Sequence, residues 1–138
     1  MLCQYLIYPY ILRRYHDEKD LYNKSTCGCG SLLSGDCGDF LFASGQLGLD
    51  PETGALAGDD VAAQARQACE NVKAVLEAAG LGFENVVKTT CFLADIADFA
   101  AFNAVYAEYF VSLPARSCVA AKDLPKGGLC EIEIIAKR

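Results

Sequence analysis

Histidine is almost missing from this chain: one copy, His16, stands among 138 residues. A Ser/His or Cys/His nucleophile pair would have to use that residue, so triad-type hydrolysis has little to build on. No C-x-x-C occurs among the eight cysteines, and with so little histidine a zinc site is weakly supported. Positive charge is short as well: 12 Lys and Arg stand against 18 Asp and Glu, a net charge of -6. A protein that wraps nucleic acid needs a basic face to neutralise phosphates, and no basic stripe interleaved with aromatics is present. Long apolar runs are lacking too. Residues 1–12 are apolar but too short to span a bilayer, contain Pro9, and have Arg13 and Arg14 after them, the reverse of a signal peptide. No internal repeat or low-complexity segment occurs.

What is present is apolar content, 53% of residues, which predicts a folded globule of a single domain. Cys69, Cys91, Cys118 and Cys130 stand singly in apolar runs, where free cysteine packs as a small hydrophobe. That usage fits a reducing compartment, and a cytoplasmic location is expected. No cofactor or metal is expected.

Residues 1–38 carry no sustained helical or strand period, mixing an apolar start, the patch His16-Asp17-Glu18-Lys19-Asp20, and Cys27-Gly28-Cys29-Gly30. Little regular structure is expected before Asp39. From there the pattern sharpens. Residues 40–44 read as a short buried strand, and Asp50-Pro51-Glu52-Thr53-Gly54 as a turn. Asp59 or Asp60 caps a helix whose apolar stripe runs Val61, Ala65, Ala68, Cys69, Val72, Val75, Leu76 and Ala79, stopped by Gly80. A β-branched strand covers 86–93, and a helix capped by Asp98 covers 99–110. Strands over 115–121 and 129–136 follow, joined by the turn 123–128. Strand–helix–strand–helix–strand–strand predicts an α+β fold with both helices on one sheet face.

Two residues late in the chain suggest chemistry. Arg116 follows Pro114 on one predicted strand, and Glu131 stands fifteen positions later on the next. A guanidinium keeps its charge and offers a planar fork matched to a carboxylate. A carboxylate can hold a water and move protons without metal or cofactor. Neighbouring strands would let one hold a small anion while the other works on it. The structural alternative is an ion pair between the two, within the fold or at a subunit interface. Glu133, on the same strand face as Glu131, reads as structural.

The blocks Ser44-Gly45-Gln46, Asp50-Pro51-Glu52-Thr53-Gly54, Asn71-Val72-Lys73-Ala74-Val75-Leu76, Phe102-Asn103-Ala104-Val105-Tyr106, Pro114-Ala115-Arg116-Ser117 and Glu131-Ile132-Glu133 occur in the same order in the Rid (YjgF-type) reactive-intermediate deaminases. The chain from about Gly38 onward resembles that family. The resemblance implies a chorismate-mutase-like α+β protomer with a mixed sheet, assembled as a homotrimer with active sites in the clefts between subunits. It implies hydrolysis of enamine and imine intermediates such as 2-aminoacrylate to a 2-keto acid and ammonia, the activity of a 2-iminobutanoate/2-iminopropanoate deaminase. It also implies roles for Arg116 as substrate anchor and Glu131 as the group handling water and protons, with Ser44 and Asn103 at positions of polar contact. Cys118 shares the face of Arg116 and would line the pocket or simply pack; Tyr106 and Tyr109 read as core or interface. Two rival functions come with the resemblance: a non-catalytic small-ligand-binding member of the fold, and an RNA-cleaving translation inhibitor, the latter disfavoured by the acidic charge.

One departure stands out. The family opens with a segment containing Gly-Pro-Tyr-Ser-Gln, whose tyrosine lines the site, and residues 1–38 contain no such segment. Codons shifted by one base from Asp17 onward permit a family-like opening, Met-Lys-Lys-Ile-Tyr through Gly-Pro-Tyr-Ser-Gln-Ala-Ile-Ala. On that basis residues 1 to about 37 read as an out-of-frame translation, residues 39–138 as the Rid-type domain, and Cys27, Cys29 and His16 as carrying no metal chemistry. The first hairpin strand would then be lost, leaving residues 40–44 as an unpaired edge.

Overall fold

The computed structural model describes residues 34–138. His16, Cys27, Cys29 and most of the segment read as out of frame lie outside the described residues. Among the described residues, no helix is long and apolar enough to cross a membrane.

The longer helix, α1 (Val61–Ala78), begins where the Asp60 carboxylate accepts a 2.9 Å hydrogen bond from the Ala63 amide. This satisfies one of the amides that a first helical turn leaves open. The expected stripe is buried: Val61, Ala65, Ala68, Cys69, Val72, Val75 and Leu76 face the core. At the other end Gly80 takes φ +70°, a region costly for any side chain. The Gly80 amide donates to Glu77 O at 3.0 Å and the Leu81 amide to Leu76 O at 2.8 Å, the paired bonds of a Schellman end.

The second helix, α2 (Phe99–Tyr109), corrects the expected cap. Asp98 makes no capping bond and is already helical; Asp95 accepts from the Ala97 amide at 2.9 Å and starts a 3-10 turn, Ile96–Asp98, that runs into the helix. A carboxylate caps from an extended backbone, so the cap falls at the last extended residue.

Five strands form one sheet. They are β1 (Ser34–Cys37), β2 (Phe40–Leu47), β3 (Val86–Leu93), β4 (Ala115–Ala120) and β5 (Cys130–Lys137), in the order β1-β2-β5-β3-β4. All neighbours are antiparallel except β3 and β4, which α2 joins as a parallel pair. A strand before Asp39 was not expected, and β2 is no unpaired edge. It pairs with β1 on one side and β5 on the other. Backbone amides make that pairing, so it needs no side-chain pattern.

Both helices cover one face of the sheet. Leu41, Ala43, Cys91, Leu93, Ile132 and Ile134 are buried there against Ala65, Cys69, Val72, Leu76, Phe102 and Val105. The other face is open, with Phe42 47% and Val119 49% exposed. A bulge in β2 affects what each face shows. Ala43 pairs with Ile134 and Gln46 with Ile132, three steps on β2 against two on β5. The extra residue switches the alternation, so Ala43 and Gln46 are both buried although an odd number apart. Ser44 and Gly45 occupy the bulge, inside the strand rather than at its end.

Candidate active site

The cationic half of the site lies on the edge strand β4. Arg116 is in register with Thr89 across the parallel pair, so both side chains take the same side of the sheet. Thr89 is fully buried under α2, which puts Arg116 at the margin of the helix-covered face. Its guanidinium carbon lies 4.5 Å from the centroid of the Tyr106 ring and 5.5 Å from that of Phe99. Its Nη1 is buried with no hydrogen-bond partner among the described residues. Aromatic faces offset part of the cost of desolvating a cation but accept no N–H bond in the plane of the fork. That Nη1 donor is left for an anion.

Asn103 and Cys118 lie with this half. Asn103 falls between Phe99 and Tyr106 on one stripe of α2, at spacings of four and three residues. Cys118, two residues beyond Arg116, packs in part against the core, and burial pushes its thiol up against the opposing pull of Arg116. A thiol so placed is protonated at neutral pH, which favours the packing role over nucleophilic chemistry.

The acidic half is elsewhere. Glu131 stands between Cys130 and Ile132, both fully buried in the core, so it points to the open face, as does its register partner Phe92. Its carboxylate lies over the β2 bulge, where a Cβ at Gly45 would overlap it. Glycine therefore makes room for the acid. Burial first, and repulsion from Glu133 second, hold the Glu131 carboxyl above the usual carboxylate range. Ser44 sits in the same bulge, its carbonyl accepting from the Gln46 side chain at 3.0 Å. Lys88 also lies on this face, its Nζ donating to Ser117 Oγ at 2.9 Å.

The expectation that Arg116 and Glu131 stand on neighbouring buried strands is corrected. β3 separates β4 from β5, β4 is a largely exposed edge, and the two side chains leave opposite faces of the sheet. The chain groups Arg116 with Asn103 and Cys118, and Glu131 with Ser44. Within one chain Arg116 and Glu131 form no ion pair, unlike Arg66 with Glu108 and Lys73 with Glu77. No group of three His, Cys, Asp or Glu among the described residues is placed to hold a metal ion.

Residues missed by sequence reasoning are those that support the two groups: Tyr106 and Phe99 under the guanidinium, Thr89 behind Tyr106, and Gly45 under the acid. Tyr106 was visible in the sequence, but together with Tyr109 it read as core or interface.

The model of the Endoribonuclease L-PSP family matches residues 34–138. A 2-iminobutanoate/2-iminopropanoate deaminase of Salmonella typhimurium is 52% identical over 107 residues, covering 75% of this chain and 83% of that protein. The YjgF gene product of E. coli superposes with a TM-score of 0.76 at 45% identity, covering 83% of this chain and 91% of its own. E. coli TdcF, solved with bound serine, gives 0.74 at 43% identity over 78% and 88%.

Proposed function

This chain belongs to the Endoribonuclease L-PSP family, that of the YjgF and Rid proteins, and on that premise we propose that it hydrolyses 2-imino acids and their enamine tautomers to 2-keto acid and ammonia. The observation that carries the reading is the Arg116 guanidinium, a half-buried cation seated on two aromatic rings with its Nη1 buried and unpartnered among the described residues. An anionic group, such as the carboxylate of an imino acid, completes its hydrogen bonding in two parallel bonds.

With the carboxylate held, the imine carbon is the electrophile. Glu131 positions a water, takes its proton as oxygen bonds to that carbon and passes the proton to nitrogen, giving a carbinolamine. The same carboxylate then carries the hydroxyl proton to nitrogen, the C=O bond forms as the C–N bond breaks, and ammonia leaves. A carboxyl raised by burial suits both directions of that transfer. Asn103 beside the cation and Ser44 beside the acid contribute polar contacts to substrate and water. Asn103 and Cys118 complete the anion-binding wall.

Because the two halves lie on opposite faces of one chain, the working site combines Arg116 of one subunit with Glu131 of the next. A homotrimer with clefts between subunits fits this, and the apolar open face around Phe42 and Val119 is the surface to be covered. RNA is not the substrate on this reading, since the chain is acidic and carries no histidine beyond His16. The location is the cytoplasm, where such imines form during amino-acid breakdown.

The test is 2-oxobutanoate release from threonine by a PLP-dependent dehydratase, with and without this protein. The protein accelerates release, and Arg116→Ala abolishes the acceleration. No acceleration by the wild type would leave the non-catalytic ligand-binding reading; an undiminished Arg116→Ala enzyme would overturn the anchor.

A further inference from the structure

We infer that Tyr106 is a positioning residue whose ring sets the plane of the Arg116 guanidinium and so the direction from which a carboxylate is accepted; this rests on the reading of Arg116 as substrate anchor. The geometry is a three-layer stack. Arg116 lies 4.5 Å from the Tyr106 centroid, and Phe110 backs the same ring at 4.2 Å between centroids and 12° between planes. The Tyr106 hydroxyl shares a buried 2.9 Å hydrogen bond with Thr89 Oγ1. Thr89 is in turn the register partner of Arg116.

Those contacts remove the freedom of the ring. Phe110 fixes its plane, Thr89 fixes its rotation in that plane, and the guanidinium stacks on the face that remains. A carboxylate in place of the ring would hold Arg116 as firmly, but would occupy the N–H donors that substrate needs. Tyr106 cannot quench the cation in that way, because burial pushes its phenol up and keeps it neutral. Phe99, at 5.5 Å, adds a second and looser wall.

Binding of an anion should therefore depend on the ring more than on the stability that the ring provides. The experiment compares Tyr106→Leu, Tyr106→Phe and Val105→Ala in the full-length protein. Val105 is buried next to Tyr106 in sequence and is not a member of this stack, so it controls for lost packing. The readouts are the KM-against-kcat split in the coupled dehydratase assay, the inhibition constant of the stable product 2-oxobutanoate, and Tm. Loss of a desolvated cation–π contact corresponds to roughly a tenfold effect. Tyr106→Leu raises KM and the 2-oxobutanoate constant about tenfold with kcat little changed. Tyr106→Phe, which keeps the stack and loses only the Thr89 bond, gives a smaller rise in the same constants, and Val105→Ala lowers Tm without moving either constant. The inference is overturned if Tyr106→Leu folds with unchanged constants, or if Val105→Ala raises them equally. An Arg116→Ala enzyme that still binds 2-oxobutanoate normally would instead remove the anchor itself, independently of how the Tyr106 variants behave.

Discussion

Glu131 is where a single side chain meets competing demands. It sits against glycine backbone with Glu133 two residues away on the same face, and both burial and that second charge favour its protonated form. The catalytic form that takes a proton from water is the carboxylate. Activity is therefore expected to fall as pH drops through a value above the usual 4.5 of glutamate. Glu133→Gln removes the repulsion, so the acid limb of the pH–rate profile moves to lower pH, while Glu131→Gln lowers kcat by about 10²–10⁴. A limb that stays in place in Glu133→Gln would show that the group titrating is another one. The alternation of Glu131 with two apolar residues was readable in the sequence, because a strand turns successive side chains to opposite faces. That Arg116 rests on Tyr106 was not, because the contact joins β4 to α2 across the edge of the sheet and leaves no local pattern.

At the scale of elements, the bulge of β2 shows how backbone geometry makes the acidic half. The sequence marks residues 40–44 as a strand, and Asp59 or Asp60 and Gly80 as helix ends, because each of those signals is local. An extra residue at Ser44-Gly45 is legible only against the strand it pairs with, and β5 lies some ninety residues away, so the strand read as stopping at Ser44 when it continues to Leu47. Two glycines of this segment give a contrast that tests the assignment. A Cβ at Gly45 meets the flexible end of Glu131, whereas one at Gly48 meets the backbone of Gln64 in α1. Gly45→Ala is expected to displace the carboxylate and lower kcat strongly with little change in Tm. Gly48→Ala must shift a helix that Gln64 also ties to Gly58 and Leu129, so it costs roughly 1–3 kcal/mol of stability. Thermal melts and kcat on the same preparations check both; a Gly45→Ala enzyme of full activity would place the working position of Glu131 elsewhere.

For the whole molecule the decisive feature is strand order. β5 returns between β2 and β3, while α2 carries the chain outward to β4, so the cation and the acid end on opposite faces of one sheet. Neither the fifteen-residue spacing of Arg116 and Glu131 nor their strand patterns reveals this, since the order of strands depends on contacts remote in sequence. If each site takes its cation from one subunit and its acid from the next, two dead variants can repair each other. Random co-assembly of Arg116→Ala and Glu131→Ala chains in equal amounts puts an intact arginine next to an intact glutamate at about one site in four, in any closed ring of identical subunits. Coexpression or subunit exchange should then restore about a quarter of wild-type activity from two inactive preparations, and unmixed controls should stay silent. A site built within a single chain gives no recovery at any mixing ratio, because every subunit would still lack one of its two groups.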